Sequence, residues 1–306
     1  MSSSKDSQHL AVFTIVQDDP EFIHPWINHY KKHVADPRHI YILVHALAEQ
    51  EGAPKWESSE SAWNVAEALI ADHHNATVVP VHHASSFDHA WLAETVSRFQ
   101  SFLLQSFRWV LFAECDEFLV PTPGVKPGVE TMLDLVTCFQ ANPPPAVHAT
   151  GFEVVQQDGE APLSAKLYQS GRNVALTAGR IIEDRNFWHS SRAYSKTLLA
   201  NVPLRWGRGF HKAKGPIDRI TKATPSPLLT LVHLHKVDFA LALARSRRSA
   251  ARRWSKLDLE QRYGWQNRIT EEAALRAFWL EDRDTGRPIR PDRLAPIPPD
   301  IKKALR

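Results

Sequence analysis

Trp109-Val110-Leu111-Phe112-Ala113-Glu114-Cys115-Asp116-Glu117-Phe118-Leu119-Val120-Pro121 sets the reading of the chain. Its first five residues are wholly apolar, as in a strand covered on both faces of an α/β sheet, and three carboxylates follow within four residues. In open α/β sheets the carboxyl ends of central strands open into the ligand crevice, so these acids stand where ligands usually bind. Alternation along an extended backbone sends Glu114 and Asp116 to one side and Glu117 to the other. Two adjacent carboxylates repel unless a cation lies between them, and hard oxygen ligands suit Mg²⁺ or Mn²⁺. The pattern points to a metal site for a phosphate-bearing ligand, with the solvated end of a strand as the equally plain alternative.

Working outward, 10–16 (LAVFTIV) is a first strand, and Pro20 opens a helical pattern with Phe22, Trp26, Ile27 and Tyr30 on one face. A strand at 39–44, a helix at 59–72, a strand at 76–81 and a helix at 86–105 follow. Strands alternating with helices over the first 120 residues argue a doubly wound, mostly parallel sheet. Neither G-x-G-x-x-G after the first strand nor G-x-x-x-x-G-K-[ST] occurs, so dinucleotide and P-loop chemistry are not supported.

After Pro121 the pattern changes. A helix is expected at 129–141, then strands at 146–155, 174–182, 194–200 and 228–234, separated by loops dense in Trp, Arg, His and Gly. Residues 237–281 read as helical and 287–299 as an irregular, proline-rich tail.

The 306 residues, 43% hydrophobic and 23% charged, suit one sizeable domain with appendages. A formal charge of +3 does not by itself imply nucleic acid, whereas 16 His and 10 Trp are many for this length and suit a site handling protons, sugars or bases. Two cysteines, Cys115 and Cys138, point to a reducing compartment. The polar segment 1–8 suggests no signal peptide, and no apolar run approaches the ~18 residues of a spanning helix, so a cytoplasmic protein is expected.

Four further groups carry candidate chemistry. His233 and His235 end an apolar run at alternate positions and share one side of a strand; if it lies near the acids, an imidazole can complete a metal shell. One histidine capping the strand and the other solvated is the ordinary alternative. Residues 203–215 set Arg205, Arg208, His211, Lys212 and Lys214 among glycines and aromatics, as in a phosphate-covering loop or a plain basic hairpin, with Arg192 and Lys196 upstream. Glu183 and Asp184 follow a strand pattern, as a surface turn or a catalytic base. Arg245, Arg248 and Arg252 share a helix face that is solvated by default, with an anionic membrane surface or nucleic acid as the sharper reading.

Together these motifs resemble the bacterial glycosyltransferase family 2-like proteins of the GT-A type, whose strand end reads D-x-D-E-F-L and stands here as Glu114-Cys115-Asp116-Glu117-Phe118-Leu119. TIVQDDPEFIHPWINHY, His39-Ile40-Tyr41-Ile42, Trp109-Val110-Leu111-Phe112, GRGFHKA and HLHKVDFALAL extend the resemblance over roughly residues 10 to 245. It departs at Glu114, which replaces the first aspartate, and at Gln17-Asp18-Asp19 and His45-Ala46-Leu47-Ala48-Glu49, which replace two segments of the family's nucleotide side. The resemblance implies a GT-A-like α/β/α domain over 9–236, with a nucleotide-sugar and metal half at 9–121, an acceptor half at 122–236, and a helical extension at 237–306.

It also implies a metal-dependent transfer, by inverting displacement, of a sugar from a nucleoside diphosphate donor to a carbohydrate or lipid-linked hydroxyl in surface glycan synthesis. Glu114 and Asp116, with His233 or His235, would hold Mn²⁺ or Mg²⁺. Asp18 or Asp19 would face the base or ribose, Lys196, His211 and Lys212 the diphosphate, and Asp184 or Glu183 would take the acceptor proton. A metal-dependent phosphohydrolase and a catalytically retired GT-A fold that only binds are the other readings. No nucleic-acid partner is expected, and the helix spanning Arg245 to Arg253 offers a peripheral membrane contact.

Overall fold

The structure is a computed structural model and describes residues 9–17, 20–47, 75–83, 86–163, 177–215 and 226–306. The helix expected at 59–72 and the candidate residues Asp18 and Asp19 lie outside these.

The protein is α/β, with a mixed, mostly parallel central sheet and several helices. The run LAVFTIV becomes β1 (Leu10–Val16), almost wholly buried, and lies at the centre of the parallel part. On one side β1 pairs with β2 (Ile40–Leu47), which pairs with β3 (Thr77–His83); on the other it pairs with β4 (Trp109–Phe112), all in parallel. The order 3-2-1-4 therefore reverses direction between β1 and β4, the topological switch point at which ligands enter open sheets.

Two helices fix this part. In α1 (Pro20–Lys31), Phe22, Ile23, Trp26, Ile27 and Tyr30 are fully buried, as the 3.6-residue spacing anticipates. The helix α2 (His89–Leu103) is capped by Asp88, whose carboxylate accepts from the backbone N–H groups of Ala90 and Trp91 at 2.7 and 3.1 Å.

Past β4 the chain turns and re-enters the sheet as β5 (Glu117–Pro121), followed by the short α3 (Met132–Cys138), closed at its start by a Thr131–Asp134 capping box. The second part is built by β6 (Ala146–Val154), β7 (Phe187–Ser190), β8 (Lys196–Ala200) and β11 (Ser226–His233). Antiparallel β8 joins β4 to β6, while β11 runs parallel to β6 and antiparallel to β5. The basic segment 203–215 forms a small hairpin, β9 (Arg205–Trp206) and β10 (Ala213–Lys214), anchored by buried Leu204, Trp206, Phe210 and Ala213. Its apolar residues commit this segment to the core.

Three expectations are corrected. Residues 178–181 of the strand expected at 174–182 form one helical turn, α4 (Ala178–Ile181), started by the Thr177 side chain and seated where Gly179 packs against Arg306. The continuous helix expected over 237–281 is broken into α5 (Phe239–Ala251), α6 (Lys256–Glu260) and α7 (Glu272–Trp279), by extended backbone at Arg252 and by Gly264 in the left-handed region. The tail is not irregular throughout. It contains β13 (Arg287–Pro288), paired with β12 (Glu281–Asp282) just before it, and β14 (Leu294–Pro296), which pairs with β7, and it leads into α8 (Pro299–Ala304). Ile297, Ile301 and Leu305 join the main core, whereas Phe239, Ala242, Leu275, Phe278 and Trp279 form a smaller one with Val155. The segment 237–306 is thus divided between two cores.

Candidate functional site

The acids do not continue the strand. After Phe112 the chain makes a turn closed by the Glu117 N–H on the Glu114 carbonyl at 3.0 Å, and this breaks the alternation expected of an extended backbone. Glu114, not Asp116, therefore shares a side with Glu117. Both reach Lys196 at the start of β8, with Nζ 2.6 Å from Glu114 Oε2 and 2.6 Å from Glu117 Oε1. Burial alone would lower the lysine pKa, but the two carboxylates reverse that and raise it. Burial, with Glu117 and Asp116 nearby, raises the pKa of Glu114 against the pull of Lys196.

Asp116 faces the other way. The backbone N–H of Leu234 donates to its carbonyl at 2.9 Å, which sets the residues after β11 beside it. Its Oδ1 lies 3.7 Å from His233 Nε2, and its Oδ2 lies 3.8 Å from His235 Nδ1 and accepts from Arg245 Nη2 at 3.0 Å. Burial works to raise the Asp116 pKa, yet Arg245 first, then His233 and His235, hold it well below the usual carboxylate range. The two imidazoles are stacked nearly parallel with centroids 5.9 Å apart, as their alternate positions foretold. Strand register places Glu153 of β6 opposite His233, whose Nδ1 donates to Glu153 Oε2 at 2.5 Å. Although burial opposes charge on His233, Glu153 and Asp116 push its pKa up to about 9. Tyr194 stacks on the outer face of the ring at 5.2 Å.

These residues open into a cavity of about 260 Å³ at the carboxyl end of the parallel strands, where Gln17, His45 and Glu114 follow or end β1, β2 and β4. Across it stands α5, with Arg245, Arg248 and, just past the helix, Arg252 on the wall. The solvated face expected of these arginines is instead turned inward, which leaves Arg247 as the exposed member. At the start of α2, His89 also lines the cavity; its Nδ1 bonds Asp258 Oδ2 at 3.1 Å, and the same oxygen accepts from the His89 backbone N–H at 2.9 Å. Burial lowers the His89 pKa despite Asp258, which leaves a neutral imidazole at pH 7.

The structure thus brings Glu114, Asp116, Lys196, His211, His233 and His235 to one cavity. Lys196 lines the cavity with its ammonium paired to Glu114 and Glu117. Lys212 is exposed on the hairpin and is not among the lining residues. Glu183 and Asp184 are also elsewhere, on an exposed turn after α4, where Glu183 pairs with Arg180 and Arg306. Glu153, Tyr194, His89 and Asp258 carried no sequence signal, because each acts through a neighbour 80 or more residues away or, for Tyr194, 39.

The described side chains do not fit the Mn²⁺ or Mg²⁺ that the resemblance implies. Glu114 is taken by Lys196 and one oxygen of Asp116 by Arg245, which leaves a carboxylate edge and two imidazoles in place of the oxygen-rich set these ions take. Among the described residues no group of three or more His, Cys, Asp or Glu side chains is placed to hold a metal ion. No described helix is long and apolar enough to cross a membrane. Compared with protein-family models and with curated proteins, the chain matches none.

Proposed function

We propose that the protein is a glycosyltransferase of GT-A type that moves a sugar from a nucleoside diphosphate donor to an acceptor hydroxyl. One observation carries this reading: an acidic turn at the carboxyl end of a central parallel strand, at the switch point, faces a helix that lines the same cavity with arginines. A nucleotide sugar needs both, positive charge for its diphosphate and acceptors for its hydroxyls. In the reaction the acceptor oxygen forms a bond to the anomeric carbon as the bond to the diphosphate oxygen breaks, and the electron pair leaves with the diphosphate. The cavity cations stabilise the charge that grows there.

The acceptor proton passes to His89. Its imidazole is neutral and in the cavity, and Asp258 holds the Nδ1 side so that Nε2 is the basic atom. Glu183 and Asp184 have no part in this scheme because they lie outside the cavity. Asp116, kept ionised by its cationic neighbours, is suited to accept from sugar hydroxyls.

The test is turnover of UDP-, GDP-, CDP- and dTDP-sugars with a panel of saccharide acceptors. Release of nucleoside diphosphate that depends on an acceptor is expected, and release without one would support hydrolysis instead. A binding module without catalysis is the second reading, favoured by the pairing of Glu114 with Lys196 and of Asp116 with Arg245. Saccharide binding with no turnover of any donor would establish it.

A further inference from the structure

A second cleft lies behind the turn that carries Tyr194. β7 and β8 run one after the other along the same side of β6, with Ser190 opposite Phe152 and Lys196 opposite Ala149. Five residues, Ser191 to Ser195, therefore stand against two of β6, Thr150 and Gly151, and bulge from the sheet. The bulge has two sides. Ala193 and Tyr194 line the cavity described above, whereas Arg192 and Ser195 line a separate cavity of about 910 Å³. The segment that follows β12 divides in the same way, with Arg283 on the first cavity and Asp282, Asp284 and Arg287 on the second. The two cavities thus share two walls.

The acids of the second cavity are committed to the fold. Asp284 accepts from the Ser191 hydroxyl at 2.9 Å and from the Arg192 backbone N–H at 3.0 Å, which ties this segment to the bulge. Asp282 accepts from the Asp284 backbone N–H at 2.9 Å and lies 3.5 Å from His189 Nε2. The arginines are less committed. Arg293 reaches Asp282 only at 4.0 Å, and Arg192 and Arg287 are exposed, with no carboxylate against either guanidinium among the described residues. Cations on a concave wall focus a positive potential on its interior, and the hydroxyls of Thr150, Ser190 and Thr285 beside them can meet neutral oxygens. The volume falls within the roughly 300–1,000 Å³ of ligand sites. No described aromatic residue lines the cleft, so it offers no stacking platform to a nucleobase.

We propose that this cleft binds a carboxylated saccharide, the acidic glycan acceptor of the transfer, with Arg192 and Arg287 on its carboxylates and the serine and threonine hydroxyls on its sugar hydroxyls. The acceptor role rests on the reading of the first cavity as a sugar-transfer site. A guanidinium fork matches the two oxygens of a carboxylate, and a saccharide supplies the alternation of charge and hydroxyl that the lining presents. The shared walls then let one end of the glycan reach the first cavity past Tyr194 while the rest stays in the second.

The probe is tetragalacturonate, titrated calorimetrically into the full chain at low and at physiological salt beside its methyl ester, which keeps the sugar frame and removes the charge. Binding of the acid that weakens as salt rises, at least tenfold tighter than that of the ester, is expected. Arg192→Gln and Arg287→Gln should each lose fivefold or more with unchanged unfolding midpoints, since both side chains are exposed. Arg247→Gln, on the exposed side of α5, should bind as wild type does. Equal binding of acid and ester, affinity that survives the double glutamine substitution, or no binding by folded protein overturns the cleft. Displacement of the probe by inorganic phosphate or a thymidine oligonucleotide at the same concentration or lower also overturns it, as a bare anion site or a nucleic-acid site. The two readings fail separately. Arginine-dependent tetragalacturonate binding by a protein that binds no nucleoside diphosphate keeps the cleft and removes the transfer. Turnover of a nucleotide sugar with neutral acceptors alone, unchanged in both variants, does the reverse.

Discussion

The two faces of the acidic turn are built differently. On one, Glu114 and Glu117 converge on a lysine that is 2% exposed, beside a glutamate that is fully buried. On the other, Asp116 meets Arg245, His233 and His235 at 3.0 to 3.8 Å, at the wall of a cavity. The first face is an ion cluster closed around one buried lysine, with Glu117 inside the core and Glu114 at the cavity wall. The second shares its charge among longer or planar side chains, and an incoming anion can compete for them. Three carboxylates that look like one motif thus divide into a structural pair and a chemical one.

The largest effect should come from the first face. Lys196→Met leaves two carboxylates together without their cation, and breaking a buried pair in this way costs about 3–5 kcal/mol. Urea unfolding would show it, and a variant as stable as wild type would erase the distinction between the faces. On the cavity face the expected loss is in rate. His89→Gln should lower kcat by about 10²- to 10⁴-fold, the usual contribution of a positioned base, with little change in unfolding midpoint. Asp258→Asn should flatten the pH profile of kcat. Unchanged turnover in folded His89→Gln would remove the imidazole from the reaction.

A third test joins structure to site through one glycine. A Cβ at Gly151 would lie 2.2 Å from the backbone carbon and oxygen of Tyr194, so β6 accepts the turn before β8 only because that position is bare. Gly151→Ala should cost about 1–3 kcal/mol, as overpacking does, and weaken ligand binding by displacing Tyr194 from His233. Ligand affinity unchanged in the alanine variant would show that Tyr194 is not needed at that ring.

The smallest effect, on the order of 1 kcal/mol per imidazole near pH 5.5, is one of pH, and it separates core from cavity by sign. Burial holds His29 well below its usual pKa and His33 down to about 3. The unfolded chain therefore takes up protons first, and this part of the stability is intact above about pH 6.5 and falls as pH drops below it. His233, raised to about 9 by its carboxylates, acts in reverse. Its contribution is full below about pH 6.5 and is lost as pH rises through 9. His233→Gln should abolish the alkaline loss and leave the acid one. An alkaline limb that persists in that variant would assign it to another group.

Much of the fold could be read from periodicity alone. β1, α1 and β4 stand where apolar spacing puts them, because each is fixed by neighbours a few residues away. The turn at Glu114 was not legible for the opposite reason. Whether 113–117 runs straight depends on Lys196 and on the pairing of β5 with β11, both distant in sequence. Likewise, helical spacing showed that Arg245, Arg248 and Arg252 share a face, but not which way it looks, since that is settled by where α5 docks. The H-x-H pair was legible because its two members lie on one strand end, while its partner Glu153 became visible only through strand register.

The most direct test of the central claim is calorimetric titration of UDP, GDP, CDP and dTDP into the folded protein, each with Mn²⁺ and with EDTA. Binding of one diphosphate in EDTA is the predicted result, since the cavity carries its own cations. No binding of any of them under either condition would contradict a nucleotide-sugar site.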